Sequence, residues 1–153
     1  MSLYEKRVAF AILCLRLMMA FEFGFHLYFK FVNGFQATFD SFVSRGYWGY
    51  WAYADMLGEL VVIPCLILGA YSRYWMVLMS PIMIGAIGVF LPKGLNFTFG
   101  GYELPMLWLF NMWLLVVLGD GRFAISLPKL PFDGRHPGTQ ISLGGNNLSA
   151  KAA

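Results

Sequence analysis

The chain has 153 residues, of which 59% are hydrophobic, 18% aromatic and only 12% charged. Soluble domains carry roughly 25% charged residues, so this composition excludes an ordinary soluble domain and indicates an integral membrane protein. The net charge of +3 does not indicate a nucleic-acid partner, because the basic residues lie at the ends of apolar segments instead of forming one stripe.

The first apolar segment, from about Val8 to Lys30, is long enough to cross a bilayer. Four ionisable residues lie within it, namely Arg16, Glu22, His26 and Lys30. At 100° per residue their side chains share one sector of the helix, about 120° wide. Ionisable groups that face hydrocarbon cost several kcal/mol, so we expect this sector to face protein.

The rest of the chain predicts a connection and three more spans. An aromatic connection follows the first span, with a short helix around 35–44, and its rings suit the headgroup level of a membrane. The further spans are expected at about 52–71, 74–91 and 103–119, and the short turn between the first two of these requires antiparallel packing. The predicted fold is an all-α integral membrane bundle of four transmembrane helices, formed by residues 1–119.

From residue 120 to 153 the sequence is rich in Gly, Pro, Ser and Asn, and no periodic apolar face is present. We expect an extended polar C-terminal tail that helps to grip another membrane-protein subunit. Four spans also place both termini on one side of the membrane. The distribution of basic residues predicts that this side is cytoplasmic. Lys6, Arg7, Arg73, Arg122, Lys129, Arg135 and Lys151 would lie there, and Lys30, Arg45 and Lys93 opposite.

Acidic residues on other spans are candidates to face the polar sector of the first helix. Asp55 and Glu59 lie one turn apart on the second span, and Glu103 begins the fourth. The candidate charged seam for a quinone or lipid headgroup consists of Arg16, His26, Lys30, Glu59 and Glu103. A structural ion-pair network and a proton path are the alternatives that this pattern leaves open.

No catalytic or metal-binding residue is expected. The spacing of Glu22 and His26 is Glu-x-x-x-His, which differs from the Glu-x-x-His of di-iron helical bundles. The chain has only two histidines, so two histidine ligands for a haem within the bundle are not expected.

Short motifs at matching places in the first, second and fourth spans resemble the DoxX family of small four-helix membrane proteins. The most specific is a Gly-x-Gly-Arg exit from the fourth span, followed by Ser-Leu. The matching residues are Arg16, Gly24 and Lys30, then Gly58, Glu59, Gly69 and Arg73, then Tyr102 and Glu103, and finally Gly119 to Leu127. In the family a His commonly precedes the first Gly directly, whereas here His26 follows Gly24 by two positions and Glu22 is an unexpected acid.

The resemblance implies membrane redox chemistry. Family members are similar to small subunits of quinol oxidase and thiosulfate:quinone oxidoreductase systems, or to membrane partners of thiol-redox proteins. It therefore predicts an accessory subunit of a larger redox complex in the bacterial cytoplasmic membrane, in contact with lipids and with a quinone or lipid as the bound molecule. The alternative is a non-catalytic structural subunit of a respiratory or photosynthetic complex.

Overall fold

The computed structural model describes residues 2–125, apart from the side chain of Phe97. This part of the chain contains five α-helices, two short 3-10 turns and no β-strand. The helices are α1 Leu3–Asn33, α2 Phe35–Ser44, α3 Trp51–Leu68, α4 Ser72–Phe90 and α5 Glu103–Leu118. The all-α prediction is confirmed for this range, and residues 126–153 of the predicted tail lie outside the described residues.

Local signals set both ends of α1. The Ser2 hydroxyl accepts a hydrogen bond from the Glu5 backbone N–H at 3.2 Å, and the Glu5 carboxylate accepts one from the Ser2 N–H at 2.9 Å. This capping box satisfies two backbone donors that the helix leaves unpaired. At the other end Gly34 has a φ of +89°, which stops α1 and redirects the chain into α2.

A tight turn joins α3 to α4. Gly69 ends α3 in the left-handed region with a φ of +73°, and the Ala70 N–H donates to the Cys65 carbonyl at 2.7 Å. Tyr71, with a φ of +53°, then precedes the first residue of α4. The turn is too short for any other arrangement, so α3 and α4 run antiparallel as predicted.

The four long helices form a closed ring around one core. Helix α1 packs mainly on α3, and α4 packs mainly on α5, while contacts of α1 with α5 and of α3 with α4 complete the ring. Methionine contributes heavily, since its flexible side chain fills irregular space between helices. The core includes Met19, Phe23, Val62, Leu66, Met76, Met79, Trp108, Met112 and Leu115.

Three helices are long and apolar enough to cross a membrane, namely α1, α3, and α4 together with the 3-10 turn that extends it to Lys93. Helix α5 is equally apolar but has only 16 residues, so the predicted count of four spans is supported only in part. Large apolar side chains cover the outer surface of the bundle, among them Phe21, Leu78 and Phe110. Such a surface suits lipid and indicates an integral membrane protein.

Candidate functional site

A buried ion-pair cluster joins α1 to α3. The Lys30 ammonium lies 2.6 Å from a carboxylate oxygen of Asp55 and 2.7 Å from one of Glu59. Asp55 and Glu59 are one turn apart on α3, so both carboxylates face the same point on α1. Both acids are almost fully buried, with exposed fractions of 4% and 1%. Lys30 therefore neutralises charge inside the protein, where an unpaired carboxylate is costly.

His26 extends this group toward the surface. Its Nδ1 atom lies 3.8 Å from the second carboxylate oxygen of Glu59, and its ring centre lies 4.9 Å from that of Trp108 on α5. We call His26, Lys30, Asp55 and Glu59 the Lys30 cluster. Two carboxylates thus face a single permanent positive charge, that of Lys30.

A groove of about 580 Å³ opens between α1 and α2 beside the Lys30 cluster. Its volume falls in the range of small-molecule sites, which combine apolar walls with a few polar groups. His26 and Lys30 belong both to this α1–α2 groove and to the cluster. The full lining is Phe25, His26, Phe29, Lys30, Asn33, Ala37, Thr38, Ser41, Phe42 and Arg45.

The residues of the predicted charged seam do not form one site in the structure. His26, Lys30 and Glu59 come together, and Asp55 joins them. Glu103 begins α5 near the same end of the bundle, with an exposed side chain. Within residues 2–125, no group of three or more His, Cys, Asp or Glu side chains is placed to hold a metal ion.

Arg16 lies at the opposite end of the bundle and is fully buried. It donates through Nη1 to the Asp120 carbonyl at 2.6 Å and through Nη2 to the Phe123 carbonyl at 3.2 Å. The planar guanidinium suits this two-pronged contact, which a lysine could not reproduce. Gly69 makes it possible, because a side chain there would overlap the guanidinium. Arg16 therefore holds the chain that follows α5, away from the α1–α2 groove.

We call residues 119–125 the exit segment. The Asp120 carboxylate accepts a hydrogen bond from the Ser72 backbone N–H at 2.7 Å, so it caps the start of α4. The Ile125 N–H donates to the Leu68 carbonyl at 3.0 Å, at the end of α3. The exit segment thus contacts three helices. The role of Asp120 was not predicted, although an acid between two glycines after an apolar helix is a usable signal in the sequence.

Replacing Arg16 with methionine is expected to release the exit segment. The two carbonyls would lose their charged donors, each contact contributing about 1.5–3 kcal/mol. Arg122 is exposed within the segment and offers a trypsin site. Limited trypsin digestion in detergent should therefore cut the Arg16→Met protein after Arg122 at least tenfold faster than the unaltered chain. Lys6→Met is the control and should be cut after Arg122 at the rate of the unaltered chain. Equal cutting rates for the Arg16→Met protein and the unaltered chain would contradict this role of Arg16.

The structure is that of a helical membrane protein with two polar sites. The Lys30 cluster lies beside the α1–α2 groove at one end of the bundle, and Arg16 binds the exit segment at the other end. Residues 11–92, more than half of the chain, match the sequence model of the DoxX family. The chain therefore belongs to the DoxX family of membrane proteins, which confirms the resemblance noted from its motifs. The match includes Arg16 and the whole Lys30 cluster. Neither a curated protein nor a solved structure matches the chain.

Proposed function

We propose that the protein is an accessory subunit of a larger redox-related membrane complex, and that the α1–α2 groove holds the polar head of a quinone or lipid. The observation that carries this proposal is the position of the groove. Aromatic walls stand directly beside two groups, His26 and Lys30, that can donate hydrogen bonds into it. Membership of the DoxX family supports a membrane role of this kind.

Lys30 and His26 can form further hydrogen bonds with a ligand. Lys30 carries three N–H donors, of which one is hydrogen-bonded to Asp55, and a Glu59 oxygen lies within ion-pair distance. His26 turns Nδ1 toward Glu59, and its side chain is 49% exposed, which leaves the other ring nitrogen for the groove. A quinone carbonyl or a headgroup oxygen would accept from Lys30, and from His26 when its ring carries a proton on Nε2. The buried carboxylates would keep both donors in place.

The groove also suits a molecule with one polar and one apolar end. Phe25 and Phe29 lie along α1 near His26, and their side chains are about half exposed. Asn33 and Arg45 line the part of the groove nearer the end of the bundle. A headgroup would contact this polar end, and a ring or chain would lie along the phenylalanines.

For the whole chain we propose four spans, with α5 crossing where the bilayer is thin, and both termini in the bacterial cytoplasm. The distribution of basic residues favours this orientation. The exposed rings of Trp48, Tyr50 and Trp51 suit the headgroup level on the outer side. The polar tail that follows the exit segment would grip a neighbouring subunit. A C-terminal reporter that labels only from outside would contradict this topology.

A second candidate is a purely structural subunit. The observation that favours it is the Lys30 cluster itself, which ties α1 to α3 without any ligand. In that case the charges fix the register of two helices, and the groove needs no occupant. The two candidates differ in one result, the specific binding of a quinone or lipid.

Labelling with a photoreactive quinone separates the candidates. The purified full chain would be irradiated with an azido-quinone, and the labelled peptides located by mass spectrometry. Labels should fall on α1 between Phe25 and Asn33 and on α2. The His26→Phe protein keeps an aromatic ring against Trp108 but loses the ring nitrogens. It should bind about tenfold more weakly, as expected for one hydrogen bond of roughly 1.4 kcal/mol.

The control is Phe110→Leu, on the exposed surface of α5 outside the groove, which should bind like the unaltered chain. Competition with phospholipid tells a lipid site from a quinone site. Labels that ignore the His26 change, or that spread over the whole surface, would reject the groove as a binding site and favour the structural subunit.

A further inference from the structure

Glu22 is an ionisable residue in the middle of α1. Its side chain is half-buried, and it makes no hydrogen bond or ion pair within residues 2–125. Arg16 lies six residues before it and Lys30 eight residues after it, so the axial distances are about 9 Å and 12 Å. Those two residues mark the ends of the bundle. Glu22 is therefore close to its centre, where headgroups and water do not reach.

A second polar side chain lies at the same depth on a neighbouring helix. Trp108 of α5 packs on Phe23, with ring centres 5.4 Å apart, which aligns the two helices. Asn111 is one turn further along α5, about 4.5 Å toward the Arg16 end. It is also half-buried and lacks a hydrogen-bond partner in the described part of the chain. Two polar groups near the middle of the bundle thus have no partner among residues 2–125.

The surface around Glu22 is otherwise apolar and open. Met18, Phe21 and Phe25 are 49%, 71% and 53% exposed on the same helix. These apolar side chains can face lipid without cost. A carboxylate that faced lipid among them would cost several kcal/mol. Polar residues at this depth ordinarily turn toward protein and pair with other polar groups.

We infer that the α1 surface around Glu22 binds a transmembrane helix of another subunit, and that this helix presents a lysine or arginine at the same depth. Charge complementarity identifies the occupant. A second copy of this chain fits poorly, because a two-fold dimer through this surface would place Glu22 opposite Glu22. A lipid headgroup held at Lys30 in the α1–α2 groove would lie about 12 Å along the axis from Glu22, too far for direct contact. The inference rests on the proposed role as a subunit of a larger complex.

Photo-crosslinking in native membranes tests the inference. A photoreactive phenylalanine analogue placed at Phe21 in the full chain should crosslink to a transmembrane peptide that carries Lys or Arg near its centre. Glu22→Leu should lower the crosslink yield at least tenfold, whereas Met18→Leu on the same surface should leave it unchanged. Replacing the captured basic residue with Glu should restore the yield in a Glu22→Lys chain.

Thermal unfolding of the isolated chain in detergent shows whether a loss of crosslinking is caused by destabilisation of the chain itself. Glu22→Leu should not lower the unfolding temperature, because Glu22 has no partner within residues 2–125 to lose. A lowered temperature, or crosslinks only to lipid or to a second copy of this chain, would overturn the inference. The proposal that the α1–α2 groove binds a quinone is tested by a different result from the proposal of an interface at Glu22. A chain that captures the basic helix but no quinone loses only the groove, and one that binds quinone without capturing a helix loses only this interface.

Discussion

Replacing Lys30 with methionine is expected to destabilise the bundle by about 3–5 kcal/mol, because it leaves two buried carboxylates without a positive partner. Asp55 and Glu59 are 4% and 1% exposed, so water cannot take the place of the ammonium. One oxygen of Asp55 already lacks a hydrogen-bond partner among the described residues. Thermal unfolding in detergent, followed by circular dichroism, should show a transition lower by many degrees.

Two controls make this prediction specific. Lys93→Met removes an exposed ammonium that lies 5.4 Å from the centre of the Phe90 ring, and it should cost less than about 1 kcal/mol. Neutralising both acids in the Lys30→Met chain, with Asp55→Asn and Glu59→Gln, should recover most of the loss. A single Lys30→Met variant as stable as the unaltered chain would show that the carboxylates do not require this partner.

Replacing Gly69 with alanine is expected to disrupt the opposite end of the bundle. The added Cβ would overlap Nη1 of Arg16 and lie only 2.8 Å from the Ala124 Cα. The φ of +73° adds a backbone cost of about 1–2 kcal/mol for any residue with a side chain. Overpacking adds about 1–3 kcal/mol. We expect a total loss of about 3 kcal/mol, together with faster trypsin cleavage after Arg122.

Gly46→Ala is the matched control for this change. Gly46 has a φ of +83°, yet a Cβ there would meet nothing within 4 Å. The substitution therefore imposes a backbone cost without the overlap, and trypsin cleavage after Arg122 should stay at its original rate. Equal destabilisation by the two alanines, with equal cleavage, would show that the space beside Arg16 is not critical.

Much of the helical architecture followed from the sequence. The short helix predicted at 35–44 is α2, because Gly34 ends α1 and an apolar periodic run follows directly. The pairing of the first span with Asp55 and Glu59 also followed, since their spacing of one turn places both on one side of α3. Charge and helical period were sufficient for these predictions.

The division of the charged seam could not be predicted. Helical angle alone placed Arg16 and Lys30 in one sector, but fourteen residues separate them, which is about 21 Å along the axis. The acceptors of Arg16 are backbone carbonyls, which carry no residue signature. The α1–α2 groove was also missed, because it depends on the direction in which α2 leaves Gly34. That direction cannot be inferred from the sequence and is seen only in the three-dimensional structure.

The Arg16 contact has a consequence for synthesis of the protein. Its first acceptor, the Asp120 carbonyl, lies 104 residues later in the chain. At roughly 5–20 residues per second, translation needs about 5–20 s to supply that acceptor. During this time α1 holds a guanidinium without its final partner, and α4 lacks its cap. The Arg16 end of the bundle can therefore close only after residues 120–123 have been synthesised.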